Sequence, residues 1–135
     1  MVERALLFVK PDGVQRGIVG EVISRFERRG LKLMALKLMT LTEKMVDQHY
    51  HEHIKKPFYP SLKSYILSGP VVAFVLEGED AIRVIRKTVG ATNPADAEPG
   101  TIRGDFALTT AFNIIHASDS VESAKKEVAL FFSEI

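Results

Sequence analysis

The chain has 135 residues, 46% of them hydrophobic, which is enough to bury a sizeable core without lipid. Lys and Arg total 18 against 17 Asp and Glu, a formal charge of +1, so no global field draws it to nucleic acid or an anionic membrane and any anion site must be local. The absence of cysteine excludes a disulfide framework, a thiol nucleophile and a Cys-based zinc site.

Ala5 to Val9 is a short apolar run closed by Pro11-Asp12-Gly13, the pattern of a buried strand ending in a turn. It is too brief for a signal-sequence core or a membrane span, so we expect a soluble, cytoplasmic protein forming one unit over residues 1–135. From Ile18 to Arg29, Ile18, Val22, Ile23 and Phe26 recur at helical spacing, and Gly30 is placed to end that helix. Leu31 to Leu41 reads as a strand in spite of its interspersed lysines, with Thr42 as the cap of a helix over 43 to 53. Pro57 and Pro60 interrupt before a short helix over Leu62 to Leu67. Val71 to Leu76 is a second buried strand, and Asp80 to Val89 a helix ended by Gly90. A long loop from Ala91 to about Gly104 holds Asn93-Pro94 and Pro99-Gly100, and loops of this length in compact domains are usually functional. Phe106 to Thr110 is expected as the fourth strand and Val121 to Phe132 as the last helix, with Asp119 and Glu122 forming a capping-box-like start. This order predicts an α+β fold, a ferredoxin-like four-stranded antiparallel sheet (split βαβ) with helices on one face, an inserted helical hairpin and a C-terminal helix.

The residues suited to chemistry are scattered. Gly13, Gly17 and Gly20 match neither the Rossmann fingerprint nor a P-loop and read as turn and helix-entry glycines. Arg103 lies between turn residues in EPGTIRGDF, where its planar fork can meet phosphate oxygens at low ordering cost; Arg86 and Lys10 are candidates of the same kind, and each signal is weak alone. His116 sits at the end of an apolar run, just before a helix N-terminus that favours an anion. It is either satisfied by local backbone or a reagent, with Glu127 farther along the helix able to reach back to one ring nitrogen. In HYHEH, His49 and His53 are four apart and read as a solvated helix face or a metal pair, and Tyr50 between them is a possible hydrogen-bond donor near a site.

The stretches FVKPDGVQRG, SGPVVAFVLEG, ATNPADAEPGTIRGDF and NIIHASDSVESAKKE, in this order, resemble nucleoside diphosphate kinase over nearly the whole chain. The resemblance implies ping-pong transfer of the γ-phosphate of a nucleoside triphosphate, usually ATP, to a nucleoside diphosphate through a phosphohistidine. It places His116 as the nucleophile, Glu127 as the carboxylate that orients the ring and Ser118 in support, with Lys10 and Tyr50 as further polar residues of the catalytic site. By the same resemblance Lys10 and Asn113 serve the ribose and phosphate end, Arg86, Thr92 and Arg103 the phosphates, and Phe58 stacks on the base. The implied cofactor is Mg²⁺ held mainly by the nucleotide phosphates, with no direct protein ligand. The implied assembly is a homo-oligomer, a hexamer before a tetramer, although the chain ends at Ile135 without the C-terminal tail of many relatives. Ala117 stands where the family usually has glycine, and Ala111-Phe112 replace a common Gly-Arg pair. Two other readings stand beside this one: a ferredoxin-like nucleic-acid-binding module using the basic helix end RFERRG, and a His-based metallohydrolase using HYHEH.

Overall fold

A computed structural model describes residues Met1–Ile135. Strand β1 (Val2–Val9) is fully buried from Ala5 to Val9, and this unbroken apolar pattern places core on both of its faces. Helix α1 (Pro11–Gln15) opens with Pro11, whose missing N–H costs nothing in a first turn. Helix α2 (Val19–Arg29) ends on Gly30 at φ 103°, a left-handed residue that glycine adopts without strain. After β2 (Lys32–Met39), helix α3 (Glu43–His49) starts from Thr42, whose side chain accepts the Met45 N–H. A 3₁₀ turn over His51–His53 then replaces the last turn of the helix expected over 43 to 53, because Tyr50 leaves helical geometry. Helix α4 (Tyr59–Ile66), β3 (Val71–Glu79) and α5 (Ala81–Val89) follow.

The expected fourth strand is not at 106 to 110. Thr101 caps a helix, α6 (Ile102–Phe106), by accepting the Gly104 N–H, so Phe106 is helical and the local strand signal loses to the cap. The loop over 91 to 104 is accordingly ordered, with a 3₁₀ turn at Pro94–Asp96. The true fourth strand is β4 (Ile115–Ala117), whose three residues pair with Leu7, Phe8 and Val9 of β1. A strand this short is made by its partner. The final helix, α7 (Val121–Phe131), is capped by Ser120, which accepts the Ser123 N–H; Asp119 is left exposed rather than serving as the predicted cap.

The sheet order is β2-β3-β1-β4 with every pairing antiparallel, as the split βαβ reading requires. The helices, however, cover both faces. Ala5, Leu7 and Val9 point into a core with Val22 and Phe26 of α2 and Ile82, Ile85 and Val89 of α5. Leu6 and Phe8 point into a second core with Val46 of α3, Ile66 of α4 and Phe131 of α7. The inserted hairpin and the C-terminal helix therefore form the second layer, which a strand with no polar side demands.

Gly104 shows how tightly the α6 turn is closed. A Cβ there would stand 2.0 Å from the Glu98 carbonyl oxygen and 2.8 Å from Thr101 Oγ1. Gly104→Ala is expected to cost about 2–4 kcal/mol in denaturant unfolding, because backbone rather than a flexible side chain must give way.

Candidate active site

The carboxyl end of β1, strand β4 and the ends of α3, α5 and α6 surround a cleft of about 1090 Å³. His116 projects from β4 into it, its ring stacked on Phe8 (centroids 5.0 Å apart, planes at 24°) and met edge-on by His49 (4.5 Å, 83°). Its Nε2 lies 2.9 Å from Glu127 Oε1, and Ser118 Oγ donates to the same oxygen at 2.7 Å. Ser118 is fully buried: its hydroxyl accepts the Leu6 N–H, and its own N–H donates to the Leu6 carbonyl. One residue thus extends the β1–β4 pairing and holds the carboxylate.

Facing an ionised carboxylate, Nε2 carries the ring proton, which leaves the lone pair on Nδ1. Burial first, then Lys10, Arg103 and Arg86, push the His116 ring down to about 3, so it is neutral at pH 7. Burial also raises the Glu127 carboxyl, opposed by the Ser118 hydrogen bond.

The backbone entering β4 is strained. Ile114, β-branched and fully buried, sits at φ 75°, and the Ile115 N–H folds back onto the Asn113 carbonyl at 2.8 Å to form a γ-turn. Such a residue costs of order 1–3 kcal/mol and persists only when its surroundings over-determine it. Here they do: the Lys10 N–H donates to the Ile114 carbonyl at 2.7 Å. Arg103, only 5% exposed, donates from Nε to the Asn113 carbonyl, from Nη2 to the Ile115 carbonyl and from Nη1 to the Gly90 carbonyl. Burial lowers the guanidinium to about 10, which still leaves it cationic at pH 7.

Lys10 Nζ donates to Asn113 Oδ1 at 2.7 Å, and Asn113 Nδ2 donates to the Thr92 carbonyl, so three segments share one chain of hydrogen bonds. With no carboxylate paired to it, burial and the nearby Arg103 push the Lys10 ammonium down to about 7. Arg86 reaches across to the Ala117 carbonyl at 3.3 Å. Thr92 lies on the rim, Phe58 offers a half-exposed ring, and Tyr50 keeps its hydroxyl buried with no protein partner. Every site residue named from the sequence lines this one cleft except Ser118, which lies directly behind it.

From the sequence, His49 reads only as part of a solvated face or of a metal pair with His53. The helix break at Tyr50 removes the common face expected for His49 and His53, and the "solvated face" reading fails because His49 packs on Phe8, Phe131 and His116. No spacing rule links residue 49 to residue 116, so the sequence carried no signal for this contact. Phe8 likewise read only as core. Ala117 lies in a strand, outside the positive-φ positions, which removes the conformational need for glycine there. Phe112 packs edge-on against Tyr65 at 5.1 Å on the cleft rim. Within RFERRG, Arg25 is committed, since it bonds Asp105 at 2.6 Å and covers the Phe106 ring.

A family model for nucleoside diphosphate kinase matches residues 3–135. The chain belongs to the nucleoside diphosphate kinase family. It is 59% identical over 133 residues to a nucleoside diphosphate kinase of Archaeoglobus fulgidus, covering 98% of this chain and 88% of that one. Against a Thermoanaerobacter pseudethanolicus nucleoside diphosphate kinase the identity is 54%, with 99% of each chain covered. Two solved structures superpose at a TM-score of 0.95. One is a nucleoside diphosphate kinase family protein of Babesia bovis, 50% identical over 98% of this chain and 89% of that one. The other is the Halobacterium salinarum enzyme in complex with CDP, 48% identical over 98% and 88% of the two chains. The chain is therefore a nucleotide phosphotransferase, and nucleoside diphosphate kinases work with a divalent metal. A nucleic-acid-binding module without catalysis is not favoured. No helix is long and apolar enough to cross a membrane.

Proposed function

We propose that His116 carries the phosphate between a nucleoside triphosphate, usually ATP, and a nucleoside diphosphate in a ping-pong cycle. The observation that carries this reading is the Nε2–Glu127 hydrogen bond on a partly buried, neutral ring. Nδ1 attacks the γ-phosphorus, the bond to the β–γ bridging oxygen breaks, and the nucleoside diphosphate leaves; an incoming β-phosphate oxygen then reverses the step. While phosphate is on Nδ1 and the proton stays on Nε2, the ring is cationic, and the Glu127 carboxylate lies against that proton. Ser118 positions the carboxylate. Glu127→Gln is expected to lower kcat by about 10–100-fold with a smaller change in KM, since the amide still packs but no longer stabilises the charged ring. An unchanged kcat would remove Glu127 from the mechanism.

The remaining groups bind substrate. Arg86, Thr92 and Arg103 face the phosphates, and Arg103, with three donors committed to carbonyls, keeps two of its five N–H groups for them. Lys10 and Asn113 serve the ribose and phosphate end, Tyr50 offers its unpartnered hydroxyl, and Phe58 stacks on the base, which tolerates any base because each has a π-face. The cleft suits Mg²⁺ bound through nucleotide. Mg²⁺ prefers phosphate oxygens and water to the cleft's imidazoles, so phosphate oxygens would be its main ligands. Bound in that way, the ion neutralises charge developing on the phosphates.

Lys10 makes nucleotide binding pH-dependent. Its buried amine, lowered to about 7, regains its proton beside a phosphate, so binding at pH 8 takes up protons and affinity falls as pH rises above 7. Calorimetry in buffers of different ionisation enthalpy reads the uptake directly, and Lys10→Met is expected to abolish it. The same lowering makes the free protein gain stability as pH rises from about 7 towards 10.5, where the unfolded chain still holds the proton.

We further infer one functional unit over residues 1–135, a cytoplasmic location in keeping with the lack of cysteine, and self-association into a hexamer before a tetramer. The support for assembly is the sheet edge at β2, where Leu36 and Leu38 are 48% and 65% exposed. Sizing in solution tests it.

A further inference from the structure

The contact between His49 and His116 has a chemical consequence beyond packing. His49, His116 and Glu127 each offer one ligand atom, and these three atoms lie within 4.8 Å of one another. Two imidazoles and a carboxylate are the donor set of many zinc centres. His49 Nδ1 is moreover buried with no hydrogen-bond partner, which is unusual for a ring nitrogen and costs free energy until something meets it. We propose that this triad is a binding site for a zinc-class divalent metal, and that its occupation silences the phosphate carrier.

The geometry is close to what such an ion needs. Zn–N and Zn–O bonds of about 2.0–2.2 Å put tetrahedral ligand atoms about 3.3 Å apart. The His116 Nε2–Glu127 Oε1 edge is already 2.9 Å. The longest edge must close by about 1.5 Å, a motion open to a side chain on the last residue of α3, where the helix gives way to the turn after Tyr50. Burial keeps both rings neutral at pH 7, and as the metal takes His116 Nε2 the ring proton moves to Nδ1, so no net proton need leave the rings.

Opposing this, Lys10, Arg86 and Arg103 all bear on His116 and repel a dication. They hold the affinity below that of a structural zinc site. Selectivity comes from the ligand atoms, since Mg²⁺ gains little from imidazole and is better held by phosphate oxygens. A metal on either His116 nitrogen withdraws the lone pair that attacks phosphorus, so the ion and the phosphoryl group exclude each other.

The metal site stands on the geometry of the triad, while the silencing rests on His116 as the carrier. Zinc alone, titrated into the purified enzyme against a chromophoric chelator, is expected to bind at one equivalent per chain with micromolar affinity. His49→Gln should weaken that affinity at least about tenfold, while His51→Gln, on the exposed neighbour, leaves it unchanged. Equal affinity in the wild type and His49→Gln overturns the site. Cobalt(II) bound to the wild-type chain provides a test independent of variant folding: strong four-coordinate visible absorption is expected, and a pale six-coordinate spectrum overturns the proposal. In transfer assays with excess Mg²⁺, half-inhibition by zinc should rise at least about tenfold in His49→Gln. Phosphate labelling that survives in His116→Ala would instead remove the carrier reading and leave the His49-dependent affinity as the measure of the site.

Discussion

His116→Ala is expected to lower phosphate transfer by on the order of 10⁴-fold or more and to abolish the acid-labile, alkali-stable label that the wild type acquires from γ-labelled ATP and Mg²⁺. On the proposed mechanism the loss is this large because the ring alone accepts the phosphoryl bond, while the other cleft residues bind substrate and neutralise charge. The fold should survive. The ring is 18% exposed, and its removal forfeits the stacked contact with Phe8, the edge-on contact with His49 and the hydrogen bond to Glu127, while leaving Glu127 bonded to Ser118. Each aromatic pair is worth about 0.5–1.5 kcal/mol, so the folded variant should melt several degrees below the wild type. A folded His116→Ala chain that still takes label, discharged by a nucleoside diphosphate, would end the phosphohistidine mechanism.

Arg103→Ala is expected to be the most damaging substitution for the site as a whole. It strips donors from three carbonyls, those of Gly90, Asn113 and Ile115, and empties a volume that is 5% exposed. Unmet buried acceptors and lost charge-assisted bonds together should cost about 3–5 kcal/mol in denaturant unfolding. That is a large part of a total on the order of 5–15 kcal/mol for such a domain. Two of the three acceptors flank Ile114, so the γ-turn that aims Asn113 and His116 loses its clamp, and transfer should fall even where the variant remains folded. Arg103→Lys restores the charge but not the fork, and should recover nucleotide affinity better than stability. Near-wild-type stability in Arg103→Ala would show that the γ-turn is held by Lys10 alone.

The difference between Arg103 and His116 reflects what a sequence makes legible. His116 and Glu127 lie eleven residues apart across a strand exit and one helix, and their hydrogen bond was within reach of local reasoning. Arg103 read as a phosphate ligand on a turn-rich loop, whereas its guanidinium is also the brace for β4. That second role depends on which carbonyls come near it, and carbonyls are the same in every residue. The fourth strand was misplaced for a related reason. Residues 106 to 110 carry local strand character, but Thr101 caps a helix into Phe106, and β1 selects Ile115–Ala117 as its partner.

The sequence by itself determined the elements whose signals are local: the apolar runs of β1 and β3, the glycine ends of α2 and α5, and the antiparallel split βαβ order that follows from them. It also determined the family, through motifs spread over nearly the whole chain. Only the tertiary structure decided that helices cover both sheet faces, that Ile114 is held at positive φ, and that His49 lies against His116. Periodicity and caps act over a few residues, whereas the His49–His116 contact and the β1–β4 pairing join segments more than sixty residues apart, which meet only when the core closes.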